Sequence, residues 1–172
     1  MRRWPLIGLA LLAACGDGEM PPARVGTAQE SRDQALLEEN KRIAEREALD
    51  IDGWIARQGL HMERSGTGVR IHLVEDSAGN NARPLQIASI RFRVSLIDGT
   101  VCYVSAPGEA EDFLIEQDDV ESGLHEAIQH LSPGDSAIVV IPSHRAHGLA
   151  GDQAKIPMRS TVIYHLRLVG VR

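Results

Sequence analysis

The sequence predicts an α+β fold, in which an antiparallel β-sheet curls around one short α-helix and follows a helical N-terminal arm. Three patterns lead to this prediction. Apolar residues recur every three or four positions over residues 31–59, alternate with polar residues from Val69 onwards, and return to helical spacing over residues 120–131. Several strands around a single short helix are typical of the α+β class.

The length and charge of the chain limit its organisation and its partners. A chain of 172 residues holds one domain of ordinary size with appendages, rather than two full domains. The formal net charge is −6, and the Lys and Arg residues form no basic stripe of the kind that nucleic-acid binding needs. We therefore expect no nucleic-acid partner.

The first fifteen residues have the pattern of an export signal with a lipid attachment site. Arg2 and Arg3 precede an apolar stretch at residues 6–14, which is too short to span a bilayer. The stretch leads into Leu-Ala-Ala-Cys-Gly, which resembles the bacterial lipobox. We predict a signal peptide at residues 1–14, lipidation at Cys15, and a lipid-anchored location in the cell envelope, on the periplasmic side or at the outer membrane. An ordinary secretory signal with an incidental cysteine is the alternative.

A tether and a helix are predicted between the lipid anchor and the domain. Residues 15–30 contain Gly and Pro and lack an apolar period, which is typical of a flexible linker. Ser31 and Gln34 have the form of a capping box and Gly59 that of a C-terminal cap, so we place a helical arm at residues 31–59. Its apolar stripe consists of Leu36, Leu37, Ile43, Ala44, Ala48, Ile51, Trp54 and Ile55. The stripe either packs on its own domain or pairs with the same helix of a second copy in a homodimer.

Residues 66–172 are predicted to form one domain of short strands. The strand patterns cover residues 69–73, 90–96, 100–103, 113–116, 137–141 and 161–171. Asp98-Gly99 predicts a tight hairpin after the second of these strands. The apolar face of the one short helix consists of Val120, Leu124, Ile128 and Leu131. Pro133 ends that helix, and a long loop at residues 142–157 precedes the last strand.

Four segments of this domain carry a resemblance to a known family. They are residues 90–99 with their final Leu-x-Asp-Gly, the helix at 120–131 with Pro133-Gly134-Asp135, the loop Ile141-Pro142-Ser143-His144-Arg145-Ala146-His147-Gly148, and Ile156-Pro157 before the last strand. In this order they resemble the FK506-binding-protein (FKBP) type of peptidyl-prolyl cis-trans isomerase, over Gly66 to Val171. Together with the lipobox and the arm, they look similar to the lipoprotein isomerases of Bacteroidetes-type bacteria, including the gliding-motility-associated group.

The resemblance implies an isomerase that binds proline-containing polypeptide clients and assists the folding of exported proteins, with no metal and no cofactor. The barrier to rotation about an X–Pro amide, ~18–20 kcal/mol, comes from resonance, and a dry pocket with a hydrogen-bond donor favours the twisted amide. The catalytic positions that carry over are Phe92, Tyr103, His147 and Tyr164. The substrate-binding positions are Cys102, Phe113, Val120, Glu121, Leu124 and Ile156, and Glu111 also lines the cleft.

Several of these positions depart from the family pattern. Phe92, Val120, Ile156 and Tyr164 keep its character. In contrast, Cys102-Tyr103 replaces Phe-Asp, Leu124 replaces Trp, Glu121 replaces Ile and His147 replaces Tyr. Because aromatic walls are lost, we expect weak isomerase activity. The alternative is a binding or chaperone module of the same fold, within a gliding-motility or secretion machine. A third hypothesis is an anchored dimer in which the arm is the functional part.

Overall fold

The computed structural model describes residues 26–172, with side chains from Gln29 onwards. The predicted signal peptide at residues 1–14, the lipidation site at Cys15 and the tether up to residue 25 lie outside the described residues. The elements in chain order are α1 (Gly26–Gln58), β1 (Glu63–Arg64), β2 (Arg70–Glu75), β3 (Ile87–Leu96), β4 (Val101–Val104), β5 (Glu111–Leu114), α2 (Ser122–Ile128), β6 (Ser136–Ile141), a 3-10 helix (Ser143–Arg145) and β7 (Val162–Val171).

The seven strands form one antiparallel sheet, which confirms the predicted α+β class. The strand order is β1-β2-β6-β7-β3-β4, and β5 pairs with β3 away from this path. β3 and β7 are the longest strands and pair from Ala88 opposite Val171 to Leu96 opposite Val162. The two-residue strand β1 was not predicted, because it is too short to show an alternating pattern.

The register of the strands assigns alternate side chains to the two faces of the sheet. On one face Val94, Val139 and Tyr164 join a buried cluster that also contains residues of α2. On the opposite face Val140 and Ile163 form a second cluster with Ile51 of α1. The sheet is therefore covered by α2 on one side and by the C-terminal part of α1 on the other.

The chain divides into two compact units, Met1–Glu38 and Glu39–Arg172. In the first unit the helical residues Leu36 and Leu37 are 63% and 68% exposed. In the second unit Ile51 is fully buried against the sheet, as the packing alternative for the arm predicts.

The predicted limits of α1 are right at its end and wrong at its beginning. Gly59 has a φ of +65°, and the N–H of Leu60 bonds to the carbonyl of Ile55, which is a glycine-capped helix end. In contrast, Ser31 does not cap the helix, because α1 already includes Gly26. Residues 27–30 contain no Gly or Pro to interrupt the helix, which explains the earlier start.

Helix α2 is shorter than the apolar pattern suggested. It covers Ser122–Ile128, so Val120 precedes it and Leu131 follows it. The N–H groups of His130 and Leu131 bond to carbonyls three residues back, which continues the chain as tight turns up to Leu131. Such turns carry on the apolar face of a helix, so periodicity alone overestimates its length.

Candidate functional site

Neighbouring strands place the aromatic side chains of the candidate site. Val94 of β3 pairs with Tyr164 of β7 and with Tyr103 of β4, so these side chains share the face that α2 covers. Phe92 lies two residues along β3 on the same face, and its ring centroid is 5.9 Å from that of Tyr164, with the planes tilted by 54°. Aromatic pairs at this distance and tilt are favourable. Phe92 and Tyr164, two of the residues named from the resemblance, therefore form one aromatic wall.

Helix α2 approaches the sheet closely because it contains Gly123. A Cβ at this position would lie 2.3 Å from Ile141 Cγ2 and 3.2 Å from the carbonyl oxygen of Arg145. A side chain at residue 123 would therefore push α2 away from β6. The next residue, Leu124, is 3% exposed and belongs to the same buried cluster as Tyr164.

The Glu121 carboxylate joins two of the predicted catalytic residues into a Tyr–Glu–His cluster, which consists of Tyr164, Glu121 and His147. The hydroxyl of Tyr164 donates to Glu121 Oε1 at 2.8 Å, and His147 Nε2 lies 2.9 Å from the same oxygen. The side chain of Glu121 is only 9% exposed. Burial, and then the charge of Glu121, raises the pKa of Tyr164, so its hydroxyl remains a protonated donor.

Tyr103 is held by the long loop rather than by the Tyr–Glu–His cluster. Its hydroxyl donates to Asp152 Oδ2, while Asp152 Oδ1 accepts from the N–H groups of Ala154 at 2.8 Å and Ile156 at 2.7 Å. Desolvation opposes the ionisation of Asp152, but these hydrogen bonds outweigh it and lower its pKa to about 2. The hydrogen bond from the Tyr103 hydroxyl to Asp152 also raises the pKa of Tyr103. Asp152 is thus a carboxylate that fixes the loop to β4.

Cys102 lies beneath the loop as a buried thiol. It is 3% exposed, and its Sγ is 3.6 Å from the carbonyl oxygen of Lys155. Burial, and then the charge of Asp152, raises the pKa of the thiol, which keeps it in its unreactive form. Lys155 Nζ in turn donates to the carbonyl of Cys102 at 2.9 Å and lies 4.9 Å from the ring centroid of Tyr103. This region fastens the loop to the sheet.

The remaining residues named from the resemblance differ in their burial. Phe113 is 5% exposed, and its ring centroid is 5.5 Å from that of His125 in an edge-on arrangement. Ile156 is buried, and Val120 is half-buried against the main cluster. Glu111 is exposed, although its charge contributes to the raised pKa of Tyr164. Phe113 is thus part of the core, and Glu111 lies near the site and acts on it through its charge.

The sequence analysis did not identify the structural roles of two residues of the site. Asp152 holds Tyr103 and the loop, and Gly123 sets the distance between α2 and β6. Asp152 carries a weak local signal, because Asp side chains often bond the backbone two residues on, as here to Ala154. Gly123 stands in the middle of an apolar helix pattern, which is where a packing role is to be suspected. Among residues 29–172, no three His, Cys, Asp or Glu side chains come together in a way that could hold a metal ion.

An antiparallel sheet of this order, one short helix on its face and a long loop before the last strand define the FKBP class of prolyl isomerase. A family model described as FKBP-type peptidyl-prolyl cis-trans isomerase matches residues 79–169, and the chain belongs to this family.

Two solved structures extend the likeness beyond the matched residues. FkpA from Escherichia coli is 27% identical, with a TM-score of 0.65, over 84% of this chain and 68% of FkpA. A peptidyl-prolyl cis-trans isomerase from Pseudomonas syringae pv. tomato is 22% identical, with a TM-score of 0.65, over 76% of this chain and 94% of that protein. The second likeness concerns the fold alone. The first covers the helical arm and the sheet, so the fold is similar to that of FkpA.

Proposed function

We propose that this protein catalyses the cis–trans isomerisation of X–Pro bonds in polypeptides of the cell envelope, with weak activity. The observation that carries the proposal is the aromatic pair of Phe92 and Tyr164, which faces α2 in a chain of the FKBP family. A prolyl ring placed against this wall would leave water, and the loss of water favours the less polar, twisted amide. Rotation needs only such surroundings and a hydrogen-bond donor, because no bond to the protein is formed.

Glu121 is the main reason for proposing weak activity. A client that uses Tyr164 or His147 as a hydrogen-bond donor competes with the Glu121 carboxylate, which already accepts from Tyr164 and lies 2.9 Å from His147 Nε2. A net hydrogen bond contributes about 0.5–1.5 kcal/mol, so this competition costs a client a factor of about 2–10 in transition-state binding. Leu124 and Cys102 also offer a client less apolar contact than aromatic side chains would. Each Å² of apolar contact area that is lost costs about 25 cal/mol of binding free energy.

A protease-coupled assay on Ala-Leu-Pro-type peptides tests the proposal with the full-length protein at several concentrations. We expect a rate that rises linearly with protein concentration and falls to background in Tyr164→Ala and Phe92→Ala. Glu75→Gln serves as a control, because Glu75 pairs with Arg167 on an exposed part of β2. A flat response from correctly folded protein would overturn the proposal.

A second candidate function is a binding or chaperone module without useful catalysis, within a gliding-motility or secretion machine. The observation that favours it is the Tyr–Glu–His cluster, in which the hydroxyl of Tyr164 already donates to Glu121 and His147 Nε2 lies against the same oxygen. In that case the protein would bind unfolded clients and slow their aggregation, whether or not they contain proline. Equal protection of a proline-containing client and its proline-free variant, without a change in refolding rate, would favour this candidate.

The proposed location is the cell envelope, with the chain anchored through acyl groups on Cys15. The support is the basic, apolar and Leu-Ala-Ala-Cys-Gly sequence of the first sixteen residues. No helix within the part of the chain that the structure describes is long and apolar enough to cross a membrane. Labelled palmitate should be incorporated into the wild-type protein expressed in a bacterium and not into Cys15→Ala. Equal labelling of both would contradict the anchor.

The helical arm is proposed to pair two copies of the chain. Leu36 and Leu37 are large apolar residues that are more than 60% exposed, and burial against a second copy would remove them from water. Sedimentation over a range of concentrations should show a dimer that dissociates in Leu36→Lys/Leu37→Lys. A wild-type protein that stays monomeric at all concentrations would remove this proposal.

A further inference from the structure

One carboxylate on helix α1 binds both ends of the loop of residues 142–161, which joins β6 to β7 and carries His147 and Ile156. Glu47 Oε1 accepts from the backbone N–H of Ser143 at 2.6 Å and from the hydroxyl of Thr161 at 2.7 Å. Glu47 Oε2 accepts from the hydroxyl of Ser143 at 2.9 Å. Ser143 and Thr161 are each only 7% exposed. These three bonds define a clamp, which consists of Glu47, Ser143 and Thr161.

The clamp lies next to the chain segments that position His147 and Tyr164. The carbonyl of Ser143 accepts from the N–H groups of Ala146 at 3.1 Å and Gly148 at 2.8 Å, and these residues flank His147. At the other end, Thr161 immediately precedes β7, the strand that carries Tyr164. The clamp therefore fixes the two chain segments from which His147 and Tyr164 reach Glu121.

Helix α1 is held on the sheet by contacts that do not involve the loop. Ile51 is fully buried in the cluster with Val140 and Ile163. Arg70 of β2, itself 2% exposed, donates to Asp52 Oδ1 through Nε at 3.0 Å and through Nη2 at 2.8 Å. The helix is thus a fixed support against which Glu47 can hold the loop.

We propose that Glu47 is a positioning residue of the prolyl isomerase site, and that helix α1 acts through it to order the loop of residues 142–161. This inference rests on the proposed function. β6 and β7 already bring the ends of this loop together, because Ile141 pairs with Val162, and the clamp extends that fixed junction to Ser143 and Thr161. The two loop segments beside the site therefore keep less conformational freedom before a client binds. Helix α1 then helps to order the site, in addition to connecting the domain to the N-terminal residues.

The chemistry of the clamp supplies a conservative variant that should preserve it. In Glu47→Gln the amide oxygen can still accept from the N–H of Ser143 and from Thr161, while the amide nitrogen donates to the hydroxyl of Ser143, which is also an acceptor. Glu47→Ala loses all three bonds. Asp52→Asn is the matched control, since it weakens only one of the two attachments of the same helix, at Arg70, and leaves the buried Ile51 and the loop contacts of Glu47 in place.

Amide hydrogen exchange and peptide kinetics on the full-length variants test the inference together. In Glu47→Ala we expect faster exchange at loop amides, such as those of Arg159 and Ile156, with unchanged exchange in α2. We expect kcat/KM for a Leu-Pro peptide to fall about tenfold, mainly through KM, because a disordered loop must be ordered on binding. Glu47→Gln should restore both properties, and Asp52→Asn should leave both near the wild-type values.

The two measurements separate this inference from the proposed function. Wild-type loop protection in Glu47→Ala would overturn the clamp, whatever the activity. Equal loss of kcat/KM in Glu47→Ala and Asp52→Asn would also overturn it, because that result would indicate a general loss of stability. If the wild-type protein has no isomerase activity, the proposed function fails, and the exchange data still decide whether Glu47 orders the loop.

Discussion

Tyr164 donates a 2.8 Å hydrogen bond to Glu121 across the interface between the last strand and the start of the short helix. Tyr164 is 5% exposed, and Glu121 precedes α2 directly, so the bond links the sheet to the helix inside the candidate site. The pair also explains how a carboxylate can stand in a largely apolar cleft. A buried charge is tolerated where it is hydrogen-bonded, and here the hydroxyl of Tyr164 donates to Glu121 Oε1, with His147 Nε2 2.9 Å from the same oxygen.

Tyr164 and Glu121 should be strongly coupled in stability. Tyr164→Phe removes a donor from a largely buried carboxylate, and Glu121→Ile leaves a buried hydroxyl without its partner. Each change should lower the free energy of unfolding by about 1–3 kcal/mol. The double variant removes both groups together, so its free energy of unfolding should exceed the additive expectation by about 0.5–3 kcal/mol. Urea unfolding of the four proteins measures this coupling. Strict additivity would show that the hydrogen bond contributes nothing.

Glu121→Ile should increase the isomerase activity. The substitution removes the carboxylate that Tyr164 and His147 contact, so that both side chains are free to donate to a client. We expect kcat/KM for a Leu-Pro peptide to rise by about 2–10-fold, the equivalent of one net hydrogen bond. The protease-coupled assay measures this change, with Glu111→Ile as the control for loss of an acidic residue near the site. A decrease confined to Glu121→Ile would indicate that the carboxylate takes part in catalysis.

Asp152 should make the protein sensitive to acid in a defined range. Its pKa is lowered from 3.8 to about 2 in the folded state, so its ionised form stabilises the fold above about pH 4, and this contribution is lost as the pH falls towards 2. Asp152→Asn cannot titrate and should show a shallower loss of stability between pH 4 and 2. Thermal unfolding over this range provides the test. Parallel curves for the two proteins would contradict the role of Asp152.

Gly123→Ala should destabilise the protein through a clash rather than through backbone strain. The new Cβ would lie 2.3 Å from Ile141 Cγ2, and overpacking of this kind typically costs about 1–3 kcal/mol. Ile141→Ala removes the clashing atom, so the double variant should be less destabilised than the sum of the two single ones. Denaturant unfolding measures all three variants. Unchanged stability of Gly123→Ala would show that α2 can move away without cost.

Much of the fold could be predicted because the decisive patterns are local. Alternation over residues 90–96 and the hairpin turn at Asp98-Gly99 indicated β3 and β4, and Gly59 marked the end of α1. The errors lie where neighbouring residues give no clear boundary. The start of α1 has no breaker near Ser31, and the turns after Ile128 prolong the apolar face of α2.

The site was less accessible to sequence reasoning than the fold. The resemblance named Phe92, Tyr164 and Glu121, but it did not predict that Tyr164 donates to Glu121 and that His147 lies against the same carboxylate oxygen. Residues 43 positions apart form the Tyr164–Glu121 bond, and residues 114 apart form the Thr161–Glu47 bond. Such pairs depend on how the helices pack on the sheet, and no local pattern in a single sequence records that packing. Asp152 was visible only as one acid in a long loop.

The most direct test of the isomerase proposal is NMR exchange spectroscopy on a Leu-Pro peptide in the presence of the full-length protein. We predict cis–trans exchange that becomes measurable only with the protein, together with peptide-dependent shifts at Phe92, Tyr164 and Leu124. In Tyr164→Ala the shifts at Phe92 and Leu124 should be lost. Exchange that stays as slow as in the free peptide, with no shifts at these residues, would contradict an isomerase site between β3, β7 and α2.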